Sequence, residues 1–177
     1  MNASLLLWLL LAALVFWSVG LYNRLMRLRA RGMEVLQVLE KHMRACAAVV
    51  NASLSTGAAV DNKVPAEWEA LVDAIQTLDA AWKLPRPNPL ASGALAPLTA
   101  AWDAVQAQWL AASDVPADLA GPSVPPDLRA DWDAGVLKVQ SARGGLNQIL
   151  GRYNEAISQC PASVVAGVMG FLPAGQL

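Results

Sequence analysis

The 177-residue sequence is poor in the side chains that most active sites are built from. It has one histidine, two cysteines, two tyrosines and two phenylalanines, and no acidic residue precedes Glu34. With His42 alone and no Glu-x-x-His pair, a di-metal carboxylate bundle is excluded, and His42 falls on an apolar stripe where a core or edge histidine is expected. Cys46 and Cys160 match no metal or redox spacing; both continue apolar stripes and read as small buried thiols. Nucleophile-elbow, Walker and dinucleotide patterns are missing. The only Gly-Gly pair, Gly144-Gly145, lies inside a helical pattern with no strand before it, so it cradles no phosphate and instead permits close helix approach or a kink. No run of alternating β-branched residues suggests a sheet. Charged residues are scarce at 15%, against about a quarter in ordinary domains. The net charge of −1 offers no basic face for nucleic acid. These absences argue against an enzyme, a cofactor, a bound metal and a small-molecule substrate.

Apolar residues are abundant instead, at 55%. No charged side chain occurs from Met1 to Asn23, and "SLLLWLLLAALVFWSVGLY" would make a helix of roughly 28 Å, close to the ~30 Å thickness of bilayer hydrocarbon. Trp8, Trp17 and Tyr22 are candidate interfacial anchors. Ser18-Val19-Gly20 resembles a cleavage site, but a signal peptide needs a basic segment before a shorter apolar core. Here the basic residues follow: Arg24, Arg27, Arg29 and Arg31 lie within eight positions, leaving nine basic residues against 14 acidic ones elsewhere. Arginines favour the cytoplasmic side, which predicts an uncleaved single-pass anchor in the inner membrane, N-terminus out, with the bulk of the chain cytoplasmic. Their second reading is recruitment of anionic lipid.

Beyond the anchor, four segments keep the 4-3 alternation of a helix seam. The first runs Leu21, Leu25, Leu28, Gly32, Val35, Leu39, His42, Cys46, Val49. The second, after Pro65, runs Val64, Trp68, Leu71, Ile75, Leu78, Trp82, with Asp61 or Asn62 as its cap. The third is Leu95, Leu98, Trp102, Val105, Trp109, Ala112. The fourth and longest is Leu128, Trp132, Gly135, Val139, Ala142, Leu146, Ile149, Tyr153, Ala156, Cys160. Flanking residues such as Leu36, Met43, Leu150 and Ile157 widen each stripe to bundle breadth. Proline and glycine gather in "STGAAVDNKVP", "KLPRPNPLASG" and "SDVPADLAGPSVPPD", which read as turns or loops. The predicted class is all-α: a transmembrane helix (1–23), an antiparallel bundle of long, short, short and long helices (24–160) and an apolar tail (161–177).

If neighbours are antiparallel, the fourth helix returns toward the first, and residue 160 ends near residue 21. The tail "ASVVAGVMGFL" is too short to span a bilayer. Two placements stay open: it caps the base of the bundle, or it lies at the membrane surface beside the arginines. The five tryptophans from Trp68 to Trp132 obey the seam spacing and read as core, with any exposed ones available to a partner.

"LYNRLMRLRARGMEVL" directly after a single span, together with "ARGGLNQILGRYNEAISQCPASVVAGVMGF" near the end, resembles the LemA family of bacterial membrane proteins. Arg143, Asn147, Tyr153, Asn154, Ile157, Pro161, Val165, Ala166, Gly170 and Phe171 carry the match. The chain departs from the pattern where Leu146 and Cys160 replace aromatic residues, and residues 51–125 do not align. The resemblance implies an N-terminal anchor, a cytoplasmic domain of long antiparallel helices and no established catalytic activity. It also suggests that the Tyr-Asn segment and the Pro-to-Phe tail lie where the two ends of the bundle meet. Arg143, Asn147, Tyr153 and Asn154 are expected to fix helix packing, because buried polar groups need partners. The expected function is that of a non-enzymatic scaffold or accessory, meeting a protein partner or itself at the inner membrane face. The alternative is a lipid-facing module that senses or organises anionic membrane.

Overall fold

The computed structural model describes residues 3–61, 66–114 and 124–177, and these form five helices: α1 (Ala3–Asp61), α2 (Ala66–Lys83), α3 (Ala96–Ser113), α4 (Pro126–Ser158) and α5 (Ala162–Val168). Among the described residues there is no strand beyond a single antiparallel bridge between Ala91 and Ala174. Asn62, Val64 and Pro65 of the expected α2 start, and most of the loop before α4, lie outside the described residues.

α1 is one uninterrupted helix of 59 residues. It contains an 18-residue window of mean hydropathy 2.3, none of it buried, so this helix is long and apolar enough to cross a membrane. It also continues through residues 55–61, where a loop is predicted from sequence. Gly57 costs a helix only about 1 kcal/mol, and the alanines beside it are the best helix formers. Proline sets the other starts: Pro97 stands in the first turn of α3, and α4 opens with Pro126, a position whose missing N–H costs nothing.

The buried stripe of α1 runs Leu21, Leu25, Gly32, Leu36, Leu39, Met43, Cys46 and Val50, whereas Val35, His42 and Val49 are only half-buried. A strict heptad therefore describes the first turns and then slips by one residue. A straight helix of 3.6 residues per turn drifts about 20° per heptad, which carries Leu36, Met43 and Val50 into the deepest positions.

α1 lies along α4, and α2 along α3. Glycine allows the closest approach of the first pair: a Cβ on Gly135 would stand 2.6 Å from Cys46 Sγ, and one on Gly32 would stand 3.1 Å from Leu90 Cδ1 and 3.5 Å from Leu150 Cδ2. Gly144 faces open space and Gly145 barely touches Val35, so the adjacent pair picked out by sequence is not where the helices come closest. The α2–α3 pair is joined to α4 through tryptophan. Trp132 of α4 stacks on Trp109 and Trp102 of α3 with ring centroids 4.4 and 6.0 Å apart, and Trp68 of α2 meets Trp109 edge-on at 6.4 Å. All four are buried, as is Trp82, so these residues do fill the core.

Burial separates the two cysteines. Cys46 is buried and desolvation raises its thiol to about 11, whereas Cys160 is exposed; both are free. The expectation that Cys160 is buried fails because α4 ends at Ser158, so the apolar stripe cannot be extrapolated two residues beyond it. A thiol-specific reagent applied to the folded chain at neutral pH should modify Cys160 and spare Cys46 until denaturant is added. The raised thiol also has a stability consequence. Between pH 9, where the unfolded thiol ionises, and pH 11, where the folded one does, unfolding should become progressively easier, and Cys46→Ala should flatten that decline. Denaturant midpoints measured across this range in both chains provide the check.

Candidate functional site

Asn147, Tyr153, Asn154 and Phe171, four of the residues carrying the family resemblance, lie in or around residues 171–177, between α4, α1 and the 84–95 loop. The second half of α4 presents Asn147, Tyr153 and Asn154 toward one segment, residues 172–177. Asn154 Oδ1 accepts from the backbone N–H of Ala174 at 2.8 Å, and Asn154 Nδ2 donates to the carbonyl of the same residue at 2.9 Å. One heptad earlier, Asn147 repeats the arrangement on Leu177, at 2.8 and 2.7 Å. Between them Tyr153 donates its hydroxyl to the Leu172 carbonyl at 3.0 Å.

The spacing has a simple origin. Seven helical residues rise about 10.5 Å and three extended residues cover about 10.2 Å, so asparagines one heptad apart meet an extended chain at every third residue. Each primary amide offers one acceptor and one donor side by side, the pair that a backbone N–H and C=O require. The two Asn therefore bind the backbone of residues 172–177.

The other side of the tail is closed by the α2–α3 connection. Gly175 N–H donates to the Leu90 carbonyl at 3.0 Å, and a Cβ at Gly175 would lie 3.0 to 3.2 Å from backbone atoms of Ala91, Ser92 and Gly93. Only glycine fits without displacing that backbone. Leu90, buried, packs on Gly32, and Arg29 donates to Asn88 Oδ1 at 3.0 Å. Burial raises the Tyr153 hydroxyl above its ordinary range, against the opposing charge of Arg29, so it remains a donor.

Ahead of residues 172–177, Pro161 follows a cis peptide bond from Cys160 and leads into α5. α5 ends in a Schellman turn: Phe171 N–H reaches the Ala166 carbonyl and Gly170 N–H that of Gly167, with Gly170 at φ 72°. The turn buries Phe171 against Tyr22 of α1, ring centroids 5.8 Å apart.

Of the four arginines, Arg24, Arg27 and Arg31 are exposed, whereas Arg29 is half-buried and drawn to Asn88. The basic cluster is therefore three exposed cations, of which Arg27 also donates to the Asn23 carbonyl at 3.3 Å, and one structural tie. Arg143 is half-buried on α4. Elsewhere an open groove of about 510 Å³ separates α1 from α2, lined among others by Arg44, Asn51, Gln76, Asp79 and Trp82. There the hydrogen bond from Lys83, aided by the charges of Lys83 and Arg44, holds Asp79 below its usual value. Arg86 covers the Trp82 ring at 5.4 Å, and the buried Trp82 Nε1–H has no hydrogen-bond partner. Among the described residues no group of three or more His, Cys, Asp or Glu side chains gathers to hold a metal. The hydrogen bonds at the α4–tail junction join side chains to backbone carbonyls and amides, a pattern that positions chain and activates no nucleophile.

Neither a protein-family model, nor a curated protein, nor a solved structure matches this chain.

Proposed function

We propose that this chain is a divergent LemA-like protein: a single-pass membrane protein whose antiparallel helical bundle stands at the inner membrane face, N-terminus out. It works there by contact with a protein partner, as a non-enzymatic scaffold or accessory. The observation that carries this reading is the continuity of α1. One helix holds exposed apolar residues from Leu5 to Val19 and, without a break, a buried stripe from Leu21 to Val50. A bundle mounted on a rigid stalk has a fixed height and bearing, which suits presentation of surfaces better than turnover.

The pairing of positions along α1 and α4 supports an antiparallel arrangement: Cys46 meets Gly135, Val35 meets Gly145, and Gly32 meets Leu150. The LemA-like assignment draws support from Asn147, Tyr153 and Asn154 all engaging residues 172–177, next to Phe171 packed on Tyr22. Three large apolar side chains, Leu84 after α2, Leu110 on α3 and Leu137 on α4, are 55 to 66% exposed and mark surfaces a partner would cover. Photo-cross-linkers at these positions in intact cells should trap one recurring heterologous protein. Adducts to no protein, or to a different one in every replicate, would sink the scaffold reading. The second reading, a module that senses or organises anionic membrane, is favoured by the exposed apolar side of α5.

A further inference from the structure

The geometry points to α5 as an interfacial helix that seats the base of the bundle on the phospholipid surface, and this inference rests on the reading of α1 as a membrane span. Its first support is a spacing. The exposed apolar side chains of α1 run from Leu5 to Val19, and burial begins two residues later at Leu21. No polar turn of helix separates the lipid-facing segment from the packed helices, so whatever packs at residues 17–24 meets the headgroup boundary.

What packs there is the turn into α5. Trp17, Gly20, Leu21 and Arg24 share a cleft with Cys160 and Pro161, and Phe171 closes on Tyr22. α5 itself is two-sided. Ala162 and Ala166 are buried, and the opposite side shows Val164 at 66% and Val168 at 86% exposure, followed by Met169 at 44%. No charged residue occurs from Ala156 to Leu177. An apolar face of this kind, standing free at the exit of a membrane helix, matches the acyl–headgroup boundary. The exposed Arg24, Arg27 and Arg31 are near enough to reach phosphates, and the partly exposed Trp17 and Tyr22 suit the same depth. Glu155, which borders a cleft beside α5, accepts from Gln159 Nε2 at 3.2 Å.

The test uses the full chain carrying Cys160→Ser, with single spin labels at Val164→Cys or Val168→Cys, in nanodiscs of phosphatidylcholine with or without phosphatidylglycerol. Leu137→Cys serves as the aqueous reference and Phe16→Cys as the lipid reference. The α5 labels should collide with an aqueous nickel chelate several-fold less often than the label at 137, and with lipid-dissolved oxygen several-fold more often. Contact in both lipids supports an apolar seat; contact only with phosphatidylglycerol supports a seat that depends on the arginines. Labels at 164 and 168 as open to the chelate as 137, with 16 still in lipid, would overturn the inference alone. A label at 16 in water would overturn the span and the inference together.

Discussion

Replacing Asn154 by alanine is expected to loosen the tail at Ala174, with amide exchange there rising about 30-fold. Each asparagine makes two hydrogen bonds to one residue of the tail, worth about 1 kcal/mol each in net terms, and 1.4 kcal/mol is a factor of ten. The same change at Asn147 should act on Leu177, and the double variant should loosen the segment at both points, leaving it held by Tyr153 at Leu172, by Leu90 at Gly175 and by the burial of Phe171. Asn154→Asp discriminates further. It keeps the acceptor for the Ala174 N–H but sets a carboxylate oxygen against the Ala174 carbonyl, so its effect should approach that of alanine despite near-identical size. Hydrogen exchange read by mass spectrometry on the tail peptide decides the matter. An unchanged exchange rate in the double variant would mean that the asparagines do not hold the tail.

Trp132→Ala should cost the packed domain about 3–5 kcal/mol, which is a large part of the total stability of an ordinary domain. The magnitude follows from position. Trp132 is 2% exposed and lies against two other indoles, with Trp68 in edge contact behind them. Its removal opens a cavity and also removes the side chain that couples the α2–α3 pair to α4. Chemical denaturation of the detergent-solubilised full chain should show the loss, and the near-ultraviolet dichroism of the stacked indoles should disappear with it. Trp8→Ala is the control: at 67% exposure on the apolar segment of α1, it should leave the denaturation midpoint unchanged. Equal stability of the Trp132 variant and the parent would contradict the account of the core.

Gly135→Ala tests the closest approach of α1 and α4. A methyl group there meets Cys46 Sγ at 2.6 Å, so the variant should destabilise by roughly 1–3 kcal/mol, as overpacking does. Adding Cys46→Ala should restore part of that loss, and a double-mutant cycle measures how much.

Helical class and core composition were legible in sequence because periodicity and proline placement are local signals. Leu98, Trp102, Val105 and Trp109 announce the buried side of α3, and all four are buried. Their mutual geometry was not legible: heptad spacing says that Trp132 points inward, and says nothing of a partner ring 4.4 Å away on another helix. The tail junction shows the same limit. Asn147 and Asn154 stood out by their spacing, but their partners lie 30 and 20 residues away in an extended segment with no periodicity of its own. Arg29 looked like its neighbours in a basic run until Asn88, 59 residues on, drew it aside. Cys160 was misjudged because a stripe continues on paper past the residue where its helix stops.

The central claim is that bilayer and packed helices are joined by one unbroken rod. It is tested most directly by electron–electron distance measurement in nanodiscs between labels at Val15→Cys and Lys41→Cys, with Cys160→Ser. Twenty-six helical residues predict a single narrow distribution near 39 Å. A broad distribution, or one centred well below that distance, would mean that the helix bends or breaks between lipid and bundle, and the fixed seating of the domain would fail with it.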